Sequence, residues 1–452
     1  MCLARGYFFL IAAMRKRLVG RSWVEAKSYT SLPTIEEVKC PASWYGASRA
    51  KDFGVFVVRK KSFSSHPAIA LFALAMGGFA IGTTEFGTMG LVPYFSKSLH
   101  ISPDQAGHVI SIYALGVVIG APVLAVALAR RAKRSALIGL MLCFAVGNLL
   151  SAAAPSYGWL MVFRFISGMP HGAYFGIAAL VASGLVPQER RTQAIASVML
   201  GLTISTIFGV SLANVIGQFL SWRGGYILVG VLALLCAILV WLLVEPMPEV
   251  HSSKNPLDEL SALGRVQVWL TLAIGSVGFG GMFAVYTYLD STFSNVTHAP
   301  QTLQPILLGL FGIGMTLGNV VTAWFADKAQ MPTIAGALVW MAVMLWLYPV
   351  MATHVWSMML ITLLIGCGGG VGSVLQARLM SFAGRAQTLA AALLHSAMNT
   401  ANALGPFLAG IAIARGYGFT SSGLVGCGLA LIGLLICGLT MVYTHYTSLS
   451  KA

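Results

Sequence analysis

Ala70-Leu-Phe-Ala-Leu-Ala-Met-Gly-Gly-Phe-Ala-Ile-Gly-Thr-Thr-Glu85-Phe-Gly-Thr-Met-Gly-Leu-Val-Pro93 is long enough to cross a bilayer and carries one charge, Glu85. About 20 apolar residues span the hydrocarbon core as a helix. Lipid offers the backbone no hydrogen-bond partners, so such a run must satisfy its own. An acid in this setting costs about 3 kcal/mol or more, so it marks proton binding, ion binding or a solute contact.

The rest of the chain follows this stretch. Of 452 residues, 57% are hydrophobic and 9% charged, with mean hydropathy +0.82; a soluble domain carries about 25% charged residues. The predicted fold class is an all-α polytopic membrane protein. This composition excludes a soluble enzyme, a nucleic-acid binder and a secreted domain. The net charge of +15 is no nucleic-acid signal, because twelve of the 28 Lys and Arg lie in residues 1–66 and the remainder are nearly all in short loops. Five of the seven cysteines fall in apolar runs and no CxxC pair occurs. They read as packing residues, with no metal site and no cofactor expected.

Twelve spans are predicted: 68–92, 105–128, 136–154, 159–184, 194–219, 225–244, 267–289, 302–325, 332–352, 355–379, 387–413 and 421–443. A polar linker, 245–266, divides a six-helix bundle (67–244) from a second one (267–445). A basic tail, 1–66, precedes them and a short tail, 446–452, follows. With both termini cytoplasmic, the inner segments hold 24 Lys and Arg against Lys97, Arg223 and Arg415 outside, as the positive-inside rule requires. Glycines recur between the halves: Gly78 and Gly278, Gly168 and Gly368, Gly120 and Gly318, Gly209 and Gly405. Their offsets, 200, 200, 198 and 196, predict two pseudo-repeats around a cavity at the midplane.

Polar side chains inside spans are the candidate site. Glu85 is a proton carrier or a structural acid held by Thr84 and Thr88. Arg164, the one intramembrane base, tunes that acid or anchors helix packing, and both lie in the outer half of the membrane. His171 follows seven residues later on the same face and either titrates or stays neutral. His395, Asn399 and Asn402 form one stripe on span 11, suited to solute or to another helix; Asn214 on span 5 is their counterpart. Tyr113, Tyr174, Tyr286 and Tyr288 could stack on a ring-bearing solute or pack. Arg130, Arg131, Lys133 and Arg134 set topology first, with gating through helix-end carbonyls second.

Gly82-Thr-Thr-Glu-Phe-Gly-Thr-Met-Gly-Leu-Val-Pro93, Gly120 to Arg134, Arg164-Phe-Ile-Ser-Gly168 and Gly201 to Gly217 occur in order on the matching helices. Through them, residues 67–445 resemble the drug/sugar:proton antiporter branch of the major facilitator superfamily. The resemblance implies twelve helices in two six-helix halves and proton coupling at Glu85 and Arg164, beside which the residues themselves offer His171, Tyr174, Asn214, Tyr286, His395, Asn399 and Asn402 as substrate contacts. It implies gating by Arg130, Arg131, Arg134, Asp327, Lys328 and Pro406. Two positions depart from the pattern: Ala129 stands where the loop 2–3 signature has an Asp, and Ser211 where span 5 often has a proline. The second half keeps both, as Asp327 and Pro406.

The expected function is proton-coupled efflux of a small organic solute, such as a sugar or drug, from a bacterial inner membrane. Its expected partners are that solute, protons and the lipid bilayer, with the chain acting as a monomer. The alternatives are an uncoupled facilitator of the same fold and, further off, a receptor or scaffold. No nucleophile–base pair or metal cluster suggests an enzyme, and no P-loop suggests ATP-driven transport.

Overall fold

The computed structural model describes residues 67–449, apart from 102, 247–255 and 385. The N-terminal tail, residues 247–255 of the linker and the last three residues lie outside the described residues. Among the described residues, twelve helices are long and apolar enough to cross a membrane, and we number them α1–α12: Pro67–Val92, Gln105–Ala127, Lys133–Ala153, Tyr157–Gly184, Gln188–Gly217, Trp222–Leu243, Val266–Asn295, Gln304–Ala326, Gln330–Met351, Val355–Phe382, Gln387–Tyr417 and Ser421–Thr444. No strand occurs among the described residues. The ends agree with the sequence reading to within a few residues except at α5 and α7, each of which extends six residues further at one end.

The ends have local causes. Ser221 caps α6 by accepting the Arg223 N–H. Gly416 and Gly418, at φ 88° and 75°, turn the chain out of α11 where a side chain would be strained. Two π-turns, Ser205–Gly209 in α5 and Ile274–Gly278 in α7, interrupt otherwise regular helices.

Each half has its own apolar core. Leu74, Phe144 and Phe175 belong to the first, and Leu338, Leu345 and Ile365 to the second. The halves meet where α11 packs on α2 and α4, and where α5 packs on α8 and α10. The pseudo-repeat is visible as packing. A Cβ on Gly168 would strike Tyr113 O, and one on Gly366 would strike Phe311 O; Tyr113 and Phe311, like Gly168 and Gly366, are 198 apart. The partner of Gly168 is therefore Gly366. The pairing with Gly368 is corrected: residues 366 and 368–370 are all glycine, so sequence alone could not select among them.

We call the end of the bundle that carries the linker and the α2–α3, α4–α5, α8–α9 and α10–α11 connections the linker end.

Candidate functional site

Arg164 sits in the first half with 1% of its surface exposed. Its Nη1 donates to Thr84 Oγ1 at 3.0 Å, and Thr84 donates onward to Asn148 Oδ1 at 2.9 Å. Asn148 Nδ2 in turn donates to Phe144 O at 2.8 Å. The guanidinium lies 4.2 Å over the Tyr113 ring and 5.3 Å from that of Tyr226. Desolvated cation–aromatic contacts of this kind stabilise by about 2 kcal/mol. Arg164 Nε has no hydrogen-bond partner. Glu85, one residue beyond Thr84 on α1, is 9% exposed and lies within electrostatic reach of Arg164, Tyr113 and Tyr286. The hydrogen bond from Arg164 goes to Thr84, so the direct acid–base pair that the sequence allowed is replaced by a neighbouring one with a hydroxyl beside it.

A second group runs from this pocket to the seam between the halves. Tyr113 OH lies 3.1 Å from His171 Nδ1, and the His171 ring is 5.4 Å from that of His395 on α11. His395 stacks on Phe175 at 4.4 Å and 10°. Gln376 on α10 donates to Phe175 O at 3.3 Å. Asn399 Nδ2 bonds His395 O at 3.0 Å. His395 Nε2, Asn399 Oδ1 and Gln376 Oε1 are buried without a protein partner. Each such atom costs about 1–3 kcal/mol unless water or solute meets it.

Tyr286 bridges elements close to Glu85. Its ring is edge-on to Phe86 of α1 at 5.9 Å and 4.6 Å from Phe311 of α8. Asn402 is half-buried. The side chain of Asn214 lies outside the described residues. Tyr174 is corrected: fully buried in the first-half core, it donates to Leu74 O at 2.8 Å and so is a packing residue away from the seam. The groove of about 600 Å³ lined by Gly318, Thr322, Lys328 and Trp340 belongs to α8–α10 alone and is also away from the seam.

At the linker end, Asp327 accepts Thr192 N–H at 2.9 Å and Gln193 N–H at 3.3 Å. A second-half acid thus caps the first turn of a first-half helix, where backbone donors lack partners. Asn319 Nδ2 to Ala196 O at 2.8 Å and Thr316 to Thr203 at 3.0 Å continue this closure, and Ser396 to Val118 O at 3.2 Å repeats it between α11 and α2. Arg134 donates to Trp241 O at the end of α6. Arg130 and Arg131 are exposed. Lys328 Nζ stands 3.8 Å over Trp324, away from the Asp327 contact. The carbonyl of Pro406 accepts from Tyr288 OH at 3.2 Å. Lys133 reaches across the halves to Thr388 Oγ1 at 3.3 Å.

Asn148, Tyr226 and Gln376 escaped the sequence reading. Asn148 and Gln376 are single amides in apolar spans, which is a usable signal. Tyr226 resembles any interfacial tyrosine and gives none.

The family profile described as Major Facilitator Superfamily matches residues 74–386. "Inner membrane transport protein YdhP" of Escherichia coli (strain K12) is 35% identical over 81% of this chain and 94% of its own length. The "Chloramphenicol resistance protein" of Streptomyces lividans is 29% identical over 75% of this chain and 88% of its own. A crystal structure of the human organic anion transporter MFSD10 superposes with TM-score 0.66 at 12% identity, covering 82% of this chain and 99% of that one.

Proposed function

The chain belongs to the Major Facilitator Superfamily and is a membrane transporter, and from that premise we propose that it exports a small organic solute, such as a sugar or drug, in exchange for protons. The observation that carries this reading is Glu85, nearly buried beside a wholly buried Arg164 whose hydrogen bond goes to Thr84. With Glu85 ionised, the two charges offset one another. With Glu85 protonated, Arg164 remains as a buried positive charge, so one proton changes the local charge by a full unit in a medium that screens poorly. Solute and proton then compete for one pocket. Tyr113 joins Arg164 to His171, and His171 meets His395 and Phe175 where the halves touch, which supports coupling between the pocket and the seam.

In this reading 67–244 and 267–445 rock as two bodies, and the linker end is cytoplasmic, with both termini on that side of a bacterial inner membrane. One chain carries both halves of the path and works as a monomer. The named resistance of the Streptomyces relative supports export of drug-like solutes; His395, Asn399, Asn402 and Tyr286 are the contacts we assign to solute.

The test is reconstitution into proteoliposomes with an internal pH dye, followed by imposed gradients of sugars and amphiphilic drugs. A solute that is exchanged should move protons in the opposite direction. Glu85→Gln should abolish that proton movement while solute binding persists. Undiminished coupling in Glu85→Gln would refute the proton-carrying role of Glu85, and transport indifferent to an imposed pH gradient would refute proton exchange and leave an uncoupled facilitator.

A further inference from the structure

The helical segments that begin at Arg191 in α5 and Gln387 in α11 occupy matching places, 196 residues apart. The offset is the one that pairs Gly209 with Gly405, and it pairs Thr192 with Thr388 and Gln193 with Leu389. Both starts expose backbone donors that need acceptors. At α5 the acceptor is Asp327. The position 198 residues earlier, which should serve α11 in the same way, is Ala129, whose methyl accepts nothing.

The α11 donors are nevertheless met. Glu259 Oε2 accepts Leu389 N–H at 3.0 Å, and the Thr388 N–H and hydroxyl face the same carboxylate. Glu259 stands on a 3-10 helix, Pro256–Gly264, inside the segment that joins the halves, and is 1% exposed. That helix packs on both α2 and α11. It is fastened to the second half by Trp269 Nε1 to Leu263 O at 2.7 Å and, just beyond it, by Arg265 to Phe382 O at 2.7 Å. Lys133, from the first half, donates both to Ala129 O and to Thr388 Oγ1 at 3.3 Å. It thereby ties the backbone of the residue that lacks an acid to the helix start that acid would have served.

We propose that Glu259 replaces the missing loop 2–3 acid, and that Glu259, Thr388 and Lys133 form the first-half latch that holds the linker end closed. The Pro256–Gly264 helix is then part of the gate. Glu259 acts as a positioning residue: it caps α11 and presents Thr388 to Lys133. The inference rests on the two halves rocking apart at the linker end and is independent of proton coupling.

The test needs neither solute nor protons. Spin labels on cysteines placed at the exposed Arg131 and Ser381 positions, in a background without native cysteines, report the distance between the halves at the linker end. Loss of the Lys133–Thr388 hydrogen bond that Glu259 positions should shift the open-to-closed ratio about five-fold. Glu259→Ala should therefore populate a longer distance, with faster amide exchange at residues 388–392. Glu259→Gln, which keeps an acceptor, should stay near the parent. Ala129→Asp added to Glu259→Ala should restore closure, which a misfolded chain could not do. Faster exchange at α11 with no change in label distance would overturn the proposal, as would failure of Ala129→Asp to restore the closed population. Asp327→Ala is the control: if it too leaves the labels unmoved, the rocking reading fails and not the assignment of Glu259.

Discussion

Arg164 and Thr362 occupy the same place in the two halves, 198 residues apart, as do Tyr113 and Phe311. Glu85 corresponds to Val285 at the offset of 200 that relates α1 to α7. The first half therefore buries an acid and a base among tyrosines, and the second half buries a valine, a phenylalanine and a threonine whose hydroxyl has no partner. At the linker end the assignment reverses. The second half supplies Asp327 directly, and the first half has Ala129 and reaches α11 through Lys133. Duplication kept the packing, down to glycines that contact equivalent carbonyls, and let the chemistry separate. One half specialised in charge inside the membrane and the other in capping at its edge.

Transplanting the charge is the strongest way to break this comparison. Thr362→Arg gives the second half the base of the first without Thr84, Asn148, Tyr113 or Tyr226 to hold it. It should cost about 3 kcal/mol or more, read as a large fall in Tm in detergent. A Tm equal to the parent's would mean that the second half has an equivalent cradle. A smaller effect sharpens the first-half side. Thr84→Val keeps the shape but strips a partner from both Arg164 and Asn148 and should cost about 1–3 kcal/mol, with Thr84→Ser recovering most of it in the same melt.

The smallest effect concerns the latches. Burial holds the Glu259 carboxyl above the ordinary carboxylate range, against the pull of Leu389 N–H, Lys133 and Thr388. A carboxyl raised in the closed form stabilises that form at low pH and loses the contribution as pH climbs from about 4.3 through the raised value. Acidifying the linker side should therefore hold the α11 latch shut. Leu389 amide protection, corrected for intrinsic exchange, should be maintained or rise between about pH 7 and pH 5; a fall would show that ionisation is what closes it.

Much of this is legible in the sequence. Lipid forces every span into a helix, so apolar length alone located twelve of them. Cost alone singled out Glu85 and Arg164, because charges do not persist in hydrocarbon without a use. Neutral amides cost less than charges in hydrocarbon, so Asn148 and Gln376 stand out in the sequence less sharply, and their partners emerge only when helices are brought together. Tyr174 misled for the converse reason: a tyrosine six residues from a motif glycine looks the same whether it faces a solute or the Leu74 carbonyl. Glu259 was hidden because an acid in a polar linker is unremarkable until its distance to a helix start is known.

Where α4 meets α11, Gly172 and Gly176 lie against His395 and Ala392, and a methyl at Gly176 would stand 2.9 Å from the Ala392 nitrogen. The two helices close almost bare backbone to backbone, like the ground faces of a valve. If the halves rock apart at this face, a group held between these helices should keep the linker end ajar. An inhibitor of this carrier need not resemble its cargo; a thin planar group lodged beside Gly176 would act as a shim and stop the cycle with the pocket at Glu85 untouched.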